Sequence, residues 1–142
     1  MFGELARAEP VGDTEPTPDW LAEAREALVT AGDYLAYEDD DRVRVIALQE
    51  GWTRVGRSLS ARIRFDDPTV SRRHALVHRS EDGLRILDDR SLNGVFVNGA
   101  HVDMRELEDG DQISIGRFQL HYINLPEPAA APFPDRSIAG AL

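Results

Sequence analysis

The chain has no cysteine and no lysine. Without cysteine, neither a disulfide framework nor a thiolate metal site can form. All sixteen cations are therefore arginine, the better bidentate partner for phosphate and carboxylate. No apolar run approaches the roughly 18 residues that a membrane helix needs, so no membrane insertion is expected. The opening residues Met1-Phe2-Gly3-Glu4-Leu5-Ala6-Arg7 offer an acid and no apolar core, unlike a secretory signal. A cytoplasmic protein is the expectation. What is present suits one domain: 142 residues with 42% hydrophobic content, enough for a real core.

Charge is unevenly spread. The net charge is −10, and residues 1–41 carry all of it, with twelve acids against two arginines. From residue 42 onward, fourteen acids balance fourteen arginines. Residues 1–17, with Pro10, Gly12 and Pro16 among many acids, are expected to form a flexible acidic leader. Residues 18–32 read as a short amphipathic helix and its stop. Thr17 is placed to cap it, Pro18 suits the first helical position, and Gly32 suits the end. Trp20, Leu21, Ala24, Ala27, Leu28 and Ala31 recur at helical spacing over 18–31, which predicts a face packed on the domain.

From Asp33 the period changes to that of strands. Tyr34–Tyr37 and Arg42–Leu48 flank Asp39-Asp40-Asp41 as a hairpin. Trp52–Val55 and Ile63–Phe65 follow. Ala75–Arg79 and Leu84–Asp88 flank Ser80-Glu81-Asp82-Gly83. Val95–Val97 and His101–Met104 flank Asn98-Gly99, and Gln112–Ile115 and Phe118–Ile123 flank Gly116-Arg117. Many short strands at this spacing argue an all-β sandwich over residues 33–124. Residues 125–142, with Pro-Glu-Pro-Ala-Ala-Ala-Pro-Phe-Pro at their start, read as a Pro/Ala-rich flexible tail.

Three clusters lie between the strands: Gly56-Arg57, Ser71-Arg72-Arg73-His74 and Ser91-Leu92-Asn93-Gly94. A phosphate monoester carries about −1.5 to −2 charge and three strong acceptor oxygens. A site that reads it needs a fixed guanidinium, a hydroxyl and turn N–H groups. Arg57, Ser71, Arg72, Ser91 and Asn93 supply those groups. Six arginines against Asp66 and Asp67 make the stretch from Arg54 to Arg73 a local +4.

In this order and spacing, Gly56-Arg57, Ser71-x-x-His74 and Asn93-Gly94 resemble a forkhead-associated (FHA) domain, over about Asp33 to Ile123. The resemblance implies a β-sandwich of about eleven strands whose apical loops bind phosphothreonine peptides. It implies that Arg57 and Ser71 contact the phosphate, that Arg72 lines the same pocket, and that Asn93 hydrogen-bonds the peptide backbone. Thr69 would meet the residue three positions after the phosphothreonine. Gly56, His74 and Gly94 would be architectural. Leu92 and Val95 depart from the hydroxyl or cation and the threonine common at those places, which bears on peptide preference. The implied function is a signalling adaptor downstream of Ser/Thr protein kinases, with phosphothreonine proteins as partners and no cofactor. Thr14 and Thr17 are candidate phosphorylation sites whose phosphates would fold back onto the domain.

Three other readings compete. Ser71, His74 and Asp88 or Asp89 can be drawn as a hydrolase triad, but no Gly-x-Ser-x-Gly elbow is present, so no enzyme is expected. His74, His78, His101 and His121 can be drawn as a metal site. On one strand, however, residues four apart stand about 13 Å apart, so no metal is expected. An arginine-loop nucleic-acid-binding β domain is the alternative function. It is disfavoured by the acidic balance and by the lack of aromatics among the arginines.

Overall fold

Turn residues set the strand register. The computed structural model describes residues 16–127, and among them eleven strands follow one helix. The helix α1 is Asp19–Ala27. The strands are β1 (Gly32–Asp39), β2 (Arg42–Leu48), β3 (Gly51–Gly56), β4 (Ile63–Arg64), β5 (Ala75–Ser80) and β6 (Gly83–Asp88). They continue with β7 (Val95–Val97), β8 (Ala100–Val102), β9 (Met104–Leu107), β10 (Gln112–Ile115) and β11 (Phe118–Leu125). Asp40 and Asp41 both have positive φ, 58° and 65°, as a tight I′ hairpin demands. They close β1 onto β2 with Asp39 opposite Arg42. Gly116-Arg117 closes β10 onto β11 with Ile115 opposite Phe118, and Asn98-Gly99 closes β7 onto β8.

The strands form two sheets. One has five strands in the order β9-β6-β5-β3-β4, the other six in the order β2-β1-β11-β10-β7-β8. The expected all-β sandwich is the observed fold. Between the sheets lies a core that includes Leu35, Leu48, Val55, Val77, Ile86, Ile113 and Leu120. Phe65 fills the end under the loops, stacked on Phe118 at 4.2 Å and edge-on to Tyr37 at 5.0 Å.

The helix covers the other face of the six-stranded sheet. Leu21, Tyr34, Ala36 and Ile123 form a second buried cluster, with Trp20, Leu28, Val45 and Leu125 around it. Both faces of β1 and β11 are therefore buried, which explains their unbroken apolar runs. The helix is shorter than the 18–31 expected. Pro18, not Thr17, stands at its N-cap, and no side chain caps it. Leu28 is already extended, at φ −80° and ψ 128°. The chain has to leave the helix early to enter β1, and Tyr34 holds that exit by donating its hydroxyl to the Thr30 carbonyl at 2.6 Å.

A second difference lies at 101–104, which reads in sequence as one strand. The chain breaks at Asp103: Val102 pairs with Val95 in one sheet and Met104 with Leu87 in the other. The Asp103 carbonyl accepts from Asp88 N at 2.9 Å and fixes the crossing.

Asp33 ties the layers together. Its carboxylate accepts from Tyr122 Oη at 2.5 Å, Asn124 Nδ2 at 2.9 Å and Arg79 Nε at 2.7 Å. Burial raises the carboxyl pKa, but the bonds from Tyr122, Asn124 and Arg79 outweigh it and hold the group below its usual value. Its stabilising contribution is thus present above the unfolded-state pKa and is lost as pH falls through the lower folded value. Urea unfolding between about pH 5 and pH 3 is expected to show stability falling with acid. In Asp33→Asn the fall becomes shallower; an unchanged slope would refute the role.

Candidate functional site

Three loops meet at one end of the sandwich: those after β3, between β4 and β5, and between β6 and β7. Backbone bonds fasten the first two. Arg57 N donates to Ser71 O at 2.9 Å, Ser58 N to Arg72 O at 3.1 Å, and His74 N to Val55 O at 3.1 Å. Gly56 permits this approach, because a Cβ there would lie 2.3 Å from Arg72 O.

The Arg57 side chain is exposed but held. Its Nε donates to the Val70 carbonyl at 3.1 Å, which leaves both terminal amino groups for a ligand and fixes the plane of the fork. Ser71 Oγ accepts from Leu92 N at 2.8 Å. A hydroxyl that accepts there keeps its own proton to donate. Asn93 Nδ2 donates to Thr69 O at 3.0 Å, so its side-chain oxygen remains free to accept from a ligand's backbone N–H. One guanidinium, one hydroxyl and one amide oxygen, from Arg57, Ser71 and Asn93, thus share one end of the molecule as expected.

His74 is fully buried and braces two loops. Ser71 N donates to its Nδ1 at 3.0 Å, and its Nε2 lies 2.9 Å from the Gly94 carbonyl. A carbonyl only accepts, so the ring is the Nε2–H tautomer. Both ring nitrogens are engaged with backbone, and neither touches the Ser71 hydroxyl, which leaves no base for a triad. Gly94 adopts φ +92°, and a Cβ there would come within 2.9 Å of the His101 ring.

Three of the expected ligand residues have neighbours of their own. Ser91, expected to contact the ligand, uses its hydroxyl inside its own loop. It donates to Asp88 Oδ2 at 2.9 Å and accepts from Gly94 N at 2.9 Å. Thr69, expected at the peptide, donates to Asp67 Oδ1 at 2.6 Å and accepts from Arg117 N at 3.0 Å. Both hydroxyls brace loops. Arg72, expected beside Arg57, lines a cavity with Arg54, Ser58 and Ser60, whose lining does not include Arg57, Ser71 or Asn93.

Asp67 and Arg117 are supports the sequence reading missed. Asp67 takes the Thr69 hydroxyl and N–H and the Arg117 Nε at 2.6 Å. Bonds from Thr69 and then Arg117 hold its carboxyl down to about 2. Arg117 also lies over the Phe118 ring at 4.3 Å. The Asp67-x-Thr69 spacing is a local Asx-turn signal that could have exposed the first half of this brace. The four histidines are scattered: His78 packs at a tilt against Trp52, His101 likewise against Phe96, and His121 edge-on to Trp20, with His74 under the loops. Among the described residues no group of three or more His, Cys, Asp or Glu could hold a metal. No helix there is long and apolar enough to cross a membrane. Thr14 lies outside the described residues; Thr17 is exposed.

Comparison with known proteins agrees with this geometry. The family model of the FHA domain matches residues 53–116. The chain is 42% identical over 77 residues to the oxoglutarate dehydrogenase inhibitor of Corynebacterium jeikeium, covering 54% of each protein. It is 39% identical over 80 residues to the glycogen accumulation regulator GarA of Mycobacterium tuberculosis, covering 56% of this chain and 49% of that one. The chain thus matches about half the length of these relatives. It superposes with a TM-score of 0.61 and 33% identity on an FHA domain solved in an analysis of phosphothreonine-dependent FHA domain interactions, covering 66% of this chain and 99% of that one.

Proposed function

Because the chain belongs to the FHA domain family, we propose that it is a phosphothreonine-peptide binding module, a signalling adaptor rather than an enzyme. One observation carries the reading: the Arg57 fork and the Ser71 hydroxyl, each fixed by a backbone partner and each with donors to spare, stand on adjoining loops. A dianionic ester needs that set. Asn93 gives the bound peptide an acceptor for its main chain, and the exposed Leu92 offers it apolar surface beside the phosphate.

The wider role follows from the relatives. Two of them are named for regulating metabolism, one as an inhibitor and one as a regulator of glycogen accumulation. We infer the same kind of role here: the domain captures partners marked by a Ser/Thr kinase. The acidic leader, with Thr14 and the exposed Thr17, is a second source of phosphothreonine that would compete for the loops. Nucleic-acid binding is the weaker reading, because the cationic loops offer no aromatic platform on which bases could stack.

Calorimetric titration tests the proposal. A peptide with one phosphothreonine is expected to bind at least tenfold more tightly than its unphosphorylated form. Binding should weaken below about pH 6, where the ester loses its second charge, while the arginines keep theirs. Equal affinity for the two peptides, or an affinity indifferent to pH between about 7 and 5, would refute the reading.

A further inference from the structure

We propose that the cavity beside Arg72 is a second anion subsite, which takes a phosphate or carboxylate carried by the same bound peptide. The proposal rests on the phosphothreonine reading above and extends it.

The cavity holds about 210 Å3, and its polar lining comes from Arg54, Ser58, Ser60, Arg72, Arg73 and Asp89. Asp89 is its one carboxylate, and Arg73 occupies it with both Nε and Nη2, each at 3.1 Å. Arg54 and Arg72 form no ion pair among the described residues. The cavity therefore carries two uncompensated positive charges. Ser58 Oγ and Ser60 Oγ lie 3.0 Å apart and share a single hydrogen bond, so one hydroxyl proton is left to donate. Two guanidinium groups and a free hydroxyl repeat the chemistry that Arg57 and Ser71 present next door.

The two sites are joined by the backbone. Arg57–Ser71 and Ser58–Arg72 are successive rungs between the same two loops. Consecutive Cα atoms lie about 3.8 Å apart, and the side chains of Ser58 and Arg72 line the cavity that Arg57 and Ser71 do not reach. An extended peptide advances about 3.3 Å per residue. A second anionic side chain one to three residues from the phosphothreonine can therefore enter the cavity while the first phosphate stays on Arg57. This gives Arg54, on β3 and outside the loops that carry the family motif, a role in choosing the peptide.

The test uses the full chain and calorimetry. The peptides carry one phosphothreonine and, at one, two or three residues on either side, phosphoserine, glutamate or alanine. At one of these spacings the second anion is expected to tighten binding at least tenfold over alanine. A larger gain from phosphoserine than from glutamate assigns the subsite to phosphate; an equal gain assigns it to carboxylate. Arg54→Gln is expected to remove the gain and leave the alanine peptide's affinity unchanged, whereas Arg62→Gln, outside the cavity, keeps it. Absence of a gain at every spacing, or a gain that survives Arg54→Gln, rejects the subsite. The first reading then still stands, provided the singly phosphorylated peptide binds and needs Arg57; if that peptide does not bind the wild-type chain, both readings fall.

Discussion

Arg57→Ala is expected to abolish measurable phosphopeptide binding while the fold survives. The side chain is exposed and makes a single hydrogen bond, from Nε to the Val70 carbonyl. Its loss should cost about 0.5 kcal/mol or less in stability, as for most surface substitutions. The loss in binding is of another order. A charge-assisted bond contributes roughly 1.5–3 kcal/mol net, and a bidentate fork makes two of them. Since about 1.4 kcal/mol is a factor of ten, affinity should fall roughly a hundredfold or more. Arg57→Lys should recover only part of this, because an ammonium group cannot hold Val70 O through Nε and still present a planar pair. Calorimetry of the three proteins, with urea unfolding as the control, decides the matter. An alanine variant that binds as tightly as wild type would sink the assignment.

Gly56→Ala is expected to damage stability and binding together. The added Cβ would sit 2.3 Å from Arg72 O and 3.0 Å from Ser71 O. Those contacts are backbone, so no rotamer change relieves them. The same two carbonyls accept the Ser58 and Arg57 N–H groups at 3.1 and 2.9 Å. Forcing the loops apart stretches both bonds and moves Ser71 away from Arg57. Overpacking costs about 1–3 kcal/mol and each lost bond about 1 kcal/mol, so a loss of about 3–5 kcal/mol is expected by urea unfolding. Binding should fall with it, although every side chain proposed to meet the ligand is still present. A variant with wild-type stability and affinity would show that the close approach is not required.

These two cases also show what was legible beforehand. Gly56 and His74 stand out in sequence because few residue types could replace them. One position lies against a carbonyl, and the other is a buried ring with both nitrogens engaged. The hairpins were legible because Asp40-Asp41, Asn98-Gly99 and Gly116-Arg117 are local turn chemistry. The hydroxyl partners of Ser91 and Thr69 were not legible. A loop hydroxyl reads as a ligand contact until its partners are known, and Thr69 meets Arg117 from 48 residues away. The destination of Arg72 turns on which side of a two-rung ladder it occupies, which spacing alone does not tell. The early end of α1 and the crossing at Asp103 depend in the same way on where the next strand must pair.

The buried second face of the six-stranded sheet bears on where this domain can be cut. The stretch that carries the family pattern, residues 53–116, omits β2, β1 and β11, which lie side by side at one edge of that sheet. A fragment trimmed to the pattern would keep only β10, β7 and β8 of that sheet and lose Leu35, Tyr37, Leu48, Leu120 and Tyr122 from the core. A fragment that kept every strand but dropped α1 would bare Tyr34, Ala36 and Ile123 to water, an invitation to self-association. The smallest unit that keeps both faces of the sheet covered is therefore set by the helix, well outside the three site loops.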